Sequence, residues 1–122
     1  MKLTLIEFKV FTSRVAEYLD GESYRKVQNV LLEHPDIGDV IPGTGGLRKL
    51  RASSPSRQKG KRGGCRIIYI HIPVASRIDL LAIYGKEERE DLSEDQKQQL
   101  KVLADIARRE ASINLKLGSN LR

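Results

Sequence analysis

One cysteine and two histidines are all that 122 residues offer as thiol or imidazole. A lone thiol excludes an intrachain disulfide and points to the reducing cytoplasm. With two histidines beside it, a structural zinc site of the usual composition cannot be assembled. No stretch approaches the roughly 18 apolar residues of a bilayer span, so no membrane partner is expected. The opening MKLTLIEFKVF is too short and too broken by charge for a secretory signal. The Gly-x-x-x-x-Gly-Lys-[Ser/Thr] pattern is missing, which excludes a P-loop. The glycines of Gly43-Thr-Gly-Gly precede a strand pattern and not a helix, so no helix dipole backs a phosphate there. The expectation is therefore a domain with neither metal nor cofactor.

Acidic residues are missing in one place only. The net charge is +6, with 31% charged and 39% hydrophobic residues. Between Val40 and Ile78 there are nine basic residues and no acidic one; the rest of the chain holds thirteen basic and sixteen acidic. The positive charge is local, and a local field of that kind gathers a polyanion at one surface. A solubilising loop is the plainer alternative for a Lys/Arg-rich run.

Hydrophobic periodicity gives the order β-α-α-β-β-β-α. Leu3 to Phe8 alternates weakly and reads as a strand. Phe11 to Leu19 reads as a helix capped by Thr12 or Ser13. Asp20-Gly21 signals a turn. Ser23 to His34 repeats Tyr24, Val27, Val30 and Leu31 at helical spacing, and Pro35 closes it. Pro35 to Gly46 reads as loop. Leu47 to Ala52, Arg66 to Ile72 and Ile78 to Tyr84 read as strands, the last two antiparallel across a turn at Pro73 to Ser76. Ser53 to Gly64 has the small, polar composition of a segment that cannot bury itself. Ser93 and Gln96 form a capping box for a final helix striped with Leu100, Leu103, Ala104 and Ala107. Leu115 to Arg122 has no strong signal, and a frayed tail is expected within residues 111–122. Helices followed by strands indicate an α+β domain spanning residues 1–122, with helices packed on a small, mainly antiparallel sheet.

Few single residues suggest chemistry. His34 ends a helix, where a positive charge is favoured. His71 sits in a strand between two isoleucines and reads as packed or at a rim, and no triad partner is evident. Cys65 has basic neighbours that could activate a thiol, but no Cys–His pairing can be drawn, so it reads as filler. What remains is the basic set. Cleaving RNA requires deprotonation of a 2′-OH, stabilisation of the phosphorane and protonation of the 5′-oxygen. Arg and Lys supply the second directly. A lysine crowded by like charge can supply a proton transfer as well. Lys49, flanked by Arg48 and Arg51 and positioned to face Arg66 across the sheet, is the candidate. A ribonuclease without imidazole or metal would be slow unless its substrate arrives pre-positioned.

The segments LRKLRASS, KGKRGGCRIIY and LLAIYGKEEREDLS, followed by a C-terminal helix, resemble the RelE/ParE superfamily of bacterial toxins, and most of all its HigB-like branch. The similarity covers roughly Phe8 to Glu110, and GDVIPGTGGLRKLR with GKRGGCRIIY is its specific part. The resemblance implies a compact RelE-like fold and a cytoplasmic, ribosome-dependent endoribonuclease. Such a toxin cuts mRNA in the ribosomal A site, leaving a 2′,3′-cyclic phosphate. It also implies a cognate, HigA-like antitoxin encoded nearby, and the 70S ribosome with its mRNA and rRNA as partners. By motif, the catalytic set falls on Lys49 (proton transfer), Arg66 (phosphorane) and Arg51. Arg48, Arg57, Lys59, Lys61 and Arg62 fall to backbone binding, and Lys86 and Arg89 to the basic turn after the last strand. This chain departs from the RelE pattern twice: Glu87 stands where an Arg is expected, and about Ser93 where a tyrosine stacks on the substrate base. Tyr84, or less well Tyr69, is left for stacking.

Two further functions share these features. A ParE-like inhibitor of DNA gyrase would have the same fold without nuclease chemistry, although such chains commonly lack clustered Lys and Arg on the middle strands. A plain nucleic-acid-binding module would bind with a steep salt dependence and break no bond.

Overall fold

The structure is a computed structural model and describes residues 2–53, 64–86 and 91–120, the last three by their backbone only. Its elements are β1 (Thr4–Glu7), α1 (Lys9–Tyr18), α2 (Gly21–Glu33), β2 (Asp39–Val40), β3 (Arg48–Ala52), β4 (Cys65–Ile72), β5 (Arg77–Gly85) and α3 (Glu94–Asn120), with a short 3-10 turn at Pro73–Ala75. The strands form one sheet in the order β1-β5-β4-β3-β2. β1 runs parallel to β5, and the other neighbours are antiparallel. The α+β class and the mainly antiparallel sheet are as the sequence indicates.

Helices cover both faces. Phe11, Leu19, Val27 and Leu31 from α1, α2 and the link between them pack on Ile67, Tyr69, Ile78 and Leu80. Leu100, Ala104, Ala107 and Ala111 of α3 pack on Ile68, Ile70, Ile72 and Leu81. A strand covered on both sides reads as an unbroken apolar run, which is why CRIIYIHI shows little alternation. The β4–β5 register slips between Ile68 and Tyr69, which pair with Ala82 and Leu80 and leave Leu81 as an extra residue. One extra residue reverses the facing of everything beyond it. Tyr84 thereby comes to the α3 face, where strict alternation from Leu80 would place it on the other.

Several boundaries differ from expectation. α1 begins at Lys9, with an extended Phe8 at its N-cap and no side-chain cap. The Phe8 N–H donates to the Leu80 carbonyl, so the chain leaves β1 still attached to β5. Thr12 and Ser13 do not cap; their hydroxyls bond Glu7 and the Val10 carbonyl. Asp20 is not a turn residue alone: its carboxylate accepts from the Ser23 N–H and starts α2. β2 was not expected, because two residues in a glycine- and proline-rich loop carry no periodicity. The capping box is as expected, with reciprocal Ser93–Gln96 bonds of 2.8 and 3.1 Å. The helix does not end where the sequence signal fades; it continues to Asn120, since Leu115, Lys116 and Leu117 are strong helix formers even at exposed positions. Among the described residues, no helix is long and apolar enough to cross a membrane.

A buried ion pair joins β5 to α3. Arg77 donates to both carboxylate oxygens of the fully buried Asp79 at 2.8 and 2.7 Å, and to Glu110 at 3.2 Å. The hydrogen bond to Asp79 raises the basicity of the guanidinium. Arg77 belongs to the basic run of the sequence, yet its charge is spent inside the fold.

Candidate functional site

β3 sorts its residues by parity. Leu50 and Ala52 pack against the α1/α2 core, so Lys49 and Arg51 project from the opposite, α3-facing surface. The β3–β4 register sets Arg51 directly opposite Arg66, and the β4–β5 register sets Arg66 directly opposite Tyr84. Lys86 follows the end of β5, its N–H reaching the Gly64 carbonyl at 3.3 Å. Lys49, Arg51, Arg66 and Lys86 line one open pocket of about 260 Å³, with Asp91 the one carboxylate among the described residues of its lining. Arg66 is 8% exposed and forms the floor; Arg51 and Lys86 are exposed at the rim and Lys49 is half-buried. The arginine opposite Arg66 is thus Arg51. Lys49 is opposite Ile68 on β4 and Asp39 on β2, a register no sequence pattern discloses. Like charges directly opposite one another destabilise a ladder; an anion held between them reverses the sign.

Glycine shapes the mouth. Gly64 has φ +63°, and a Cβ there would lie 2.1 Å from the Ala52 carbonyl oxygen. The close approach brings the end of β3 against the start of β4, one residue before the Cys65–Arg66 pair.

Other expected site residues lie elsewhere. Arg48 faces away, with its guanidinium on the Asp36 and Gly38 carbonyls at 3.0 and 2.8 Å and 3.6 Å from the Asp36 carboxylate. It fastens the 35–38 loop to β3, and His71 joins it on Asp36 at 2.9 Å. Tyr84 is 3% exposed within the α3-side core, so its ring has no open face for a base. Tyr69 is buried; its hydroxyl donates to the Pro35 carbonyl and accepts from the Gly38 N–H, both at 2.9 Å. Burial pushes that hydroxyl above the ordinary tyrosine range. Cys65 is a buried filler, and His34 is the C-cap of α2. Arg57, Lys59, Lys61, Arg62 and Arg89, like Glu87, lie outside the described residues.

No protein-family model matches the chain. Among solved structures, it is similar to a mutant of the E. coli toxin RelE in the free state, with a TM-score of 0.53 over 74% of this chain and 90% of that one, at 16% identity. The fold is RelE-like. A RelE–RelB complex from Pyrococcus horikoshii OT3 is also similar, at 22% identity over 73% of this chain and 100% of that one, with a TM-score of 0.47. The likeness to RelE is one of fold.

Three residues at the site were not foreseen. Asp91 reaches the cationic pocket, and Asp39 and Lys97 line a neighbouring cavity together with Lys49, Arg51 and Asp91. That cavity is bounded by the loop from Ile41 to Leu47. The loop is closed by the Ile41 N–H on the Leu47 carbonyl and by the buried Thr44 hydroxyl on the Ile41 carbonyl. Arg108 of α3 donates to the Gly45 carbonyl, so this glycine-rich stretch, which the sequence gives no phosphate role, serves the docking of the loop on the helix. Among the described residues, no group of three or more His, Cys, Asp and Glu is placed to hold a metal.

Proposed function

We propose that this chain is the toxin of a toxin–antitoxin pair, a HigB-like, ribosome-dependent endoribonuclease that cuts mRNA in the A site. The observation that carries the reading is the convergence of Lys49, Arg51, Arg66 and Lys86 on one open pocket of a RelE-like sheet. In-line attack forms a bond between the 2′-oxygen and phosphorus and breaks the bond from phosphorus to the 5′-oxygen. One proton leaves the 2′-OH and another reaches the 5′-oxygen. Arg66 and Arg51, on opposed strands, flank the position where the phosphorane gathers charge. Lys49, beside them and half-buried, is the proton-transfer group. Lys86 binds the adjoining phosphate. The ribosome supplies the substrate orientation that so small a pocket does not. Arg48 has a scaffold role, since its Nη1 serves the Asp36 and Gly38 carbonyls.

Mapping of mRNA 5′ ends after induction, with translation active or blocked, tests this reading. Translation-dependent cuts that vanish in Lys49→Ala support it. A DNA-damage response without cuts would instead favour gyrase inhibition, and salt-sensitive RNA binding without cuts a plain binding module. An uncovered cationic pocket of this kind also calls for a cognate, HigA-like antitoxin whose bound segment covers or distorts the basic face. Co-purification of the tagged chain with its genomic neighbour tests that partner.

A further inference from the structure

The cavity beside the phosphate pocket has walls of a different kind. It measures about 350 Å³ and shares Lys49, Arg51 and Asp91 with its neighbour, so the two adjoin. A volume of that size reaches the lower end of the roughly 300–1,000 Å³ range of small-molecule sites. Ile41, Pro42 and Leu92 make an apolar wall, and Asp39 adds a carboxylate. Asp39 is directly opposite Lys49 in the β2–β3 ladder. Directly opposed residues share a face, with Cβ atoms about 5 Å apart. The carboxylate therefore lies one cross-strand step from an ammonium assigned to phosphate chemistry.

An apolar wall beside an anion pocket, with a carboxylate within reach, fits a nucleobase whose own phosphate occupies the neighbouring pocket. The wall takes the ring faces out of water. The carboxylate accepts hydrogen bonds and offers none, so it favours an edge bearing an amino group over one bearing carbonyls. Tyr84 and Tyr69, the aromatics nearest the cations in sequence, are both buried, so neither offers a face for stacking. We infer that the cavity between β2 and the start of α3 is a nucleobase subsite, selecting adenine, cytosine or guanine over uracil. The inference rests on the ribonuclease reading for its substrate class.

Titration of the full chain with the four nucleoside 3′-monophosphates, followed by amide NMR, tests it. The adenosine, cytidine and guanosine compounds should bind at least about tenfold more tightly than uridine 3′-monophosphate, the lower end of the scale of one hydrogen bond to a charged acceptor. Shifts should appear at Asp39, Ile41 and Leu92. Asp39→Asn should level the four affinities, and Leu92→Ala should weaken all four, with circular dichroism confirming the fold. Equal affinities in the wild type, no binding of any of the four, or a preference unchanged in folded Asp39→Asn would overturn the subsite. The two readings fail separately. Base discrimination without ribosomal mRNA cleavage leaves the subsite standing and removes the nuclease. Cleavage whose base preference is unmoved by Asp39→Asn does the reverse.

Discussion

Arg51 and Arg66 are direct partners across the β3–β4 ladder, two guanidinium groups on one face of the sheet. Taken by itself, the opposition of two like charges does not favour the ladder. Opposed like charges cost about 0.2–1 kcal/mol, and the exposure of Arg51 keeps the penalty near the lower end. The pairing makes sense as a seat for an anion. Arg51→Ala should therefore raise the urea midpoint slightly, by a few tenths of a kcal/mol in stability, while lowering ribosome-dependent cleavage by about 100-fold. A variant less stable than the wild type would show that the two arginines are not in conflict.

Arg48 and Lys49 are neighbours in sequence with opposite assignments. Arg48→Ala removes two bonds to loop carbonyls and should cost about 1–2 kcal/mol in chemical denaturation, with any activity loss following the folded fraction. Lys49→Ala should leave the midpoint within about 0.5 kcal/mol of wild type and abolish growth arrest. Equal effects of the two variants on activity per folded molecule would contradict the division of faces.

Gly64 tolerates no side chain. Gly64→Ala adds left-handed backbone strain to a Cβ contact with the Ala52 carbonyl oxygen, and should destabilise by at least about 1–3 kcal/mol. The ends of β3 and β4 must part to accept the methyl group, so cleavage should fall even at temperatures where the variant is folded. Thermal melts paired with cleavage assays report both effects.

Stability should decline at high pH. The Tyr69 hydroxyl is raised above its ordinary value of about 10 by burial, and Tyr24 is raised by burial and by its hydrogen bond to Glu7. A raised tyrosine keeps its proton in the folded state while the unfolded chain has lost it. The contribution is complete below pH about 10 and is lost as pH rises beyond it, at up to about 1.4 kcal/mol per pH unit for each tyrosine. Tyr69→Phe should flatten this slope while costing about 1–3 kcal/mol at neutral pH, because the Gly38 N–H and Pro35 carbonyl lose their partner. Urea titrations between pH 8 and 11 would show whether the slope changes.

Elements whose signals are local were legible in the sequence. Ser93 and Gln96 announce the start of α3, and the isoleucine-rich run announces β4. Misreadings arose where a distant partner decides. Thr12 and Ser13 look like caps, but attachment of Phe8 to Leu80 sets the helix start. Tyr84 looks available at a strand end, yet the slip at Ile68/Tyr69 turns it inward. The basic run looks uniform, although Arg77 is consumed by Asp79, Arg48 by a loop, and only alternate residues of β3 reach the pocket. Asp39 could not be seen at all, because a two-residue strand leaves no pattern.

The parallel pairing of β1 with β5 has a consequence for synthesis. Thr4 meets Arg77, and Glu7 meets Leu80, so the strand translated first waits for the one translated last. Lys49 likewise acquires its full company only after Arg66 and Lys86 have emerged. No nascent fragment that stops short of β5 can assemble the cationic cluster. If the proposed ribonuclease reading holds, the chain is harmless to the ribosome making it until the sheet is nearly finished, and truncations ahead of Arg77 should be inert in the cell.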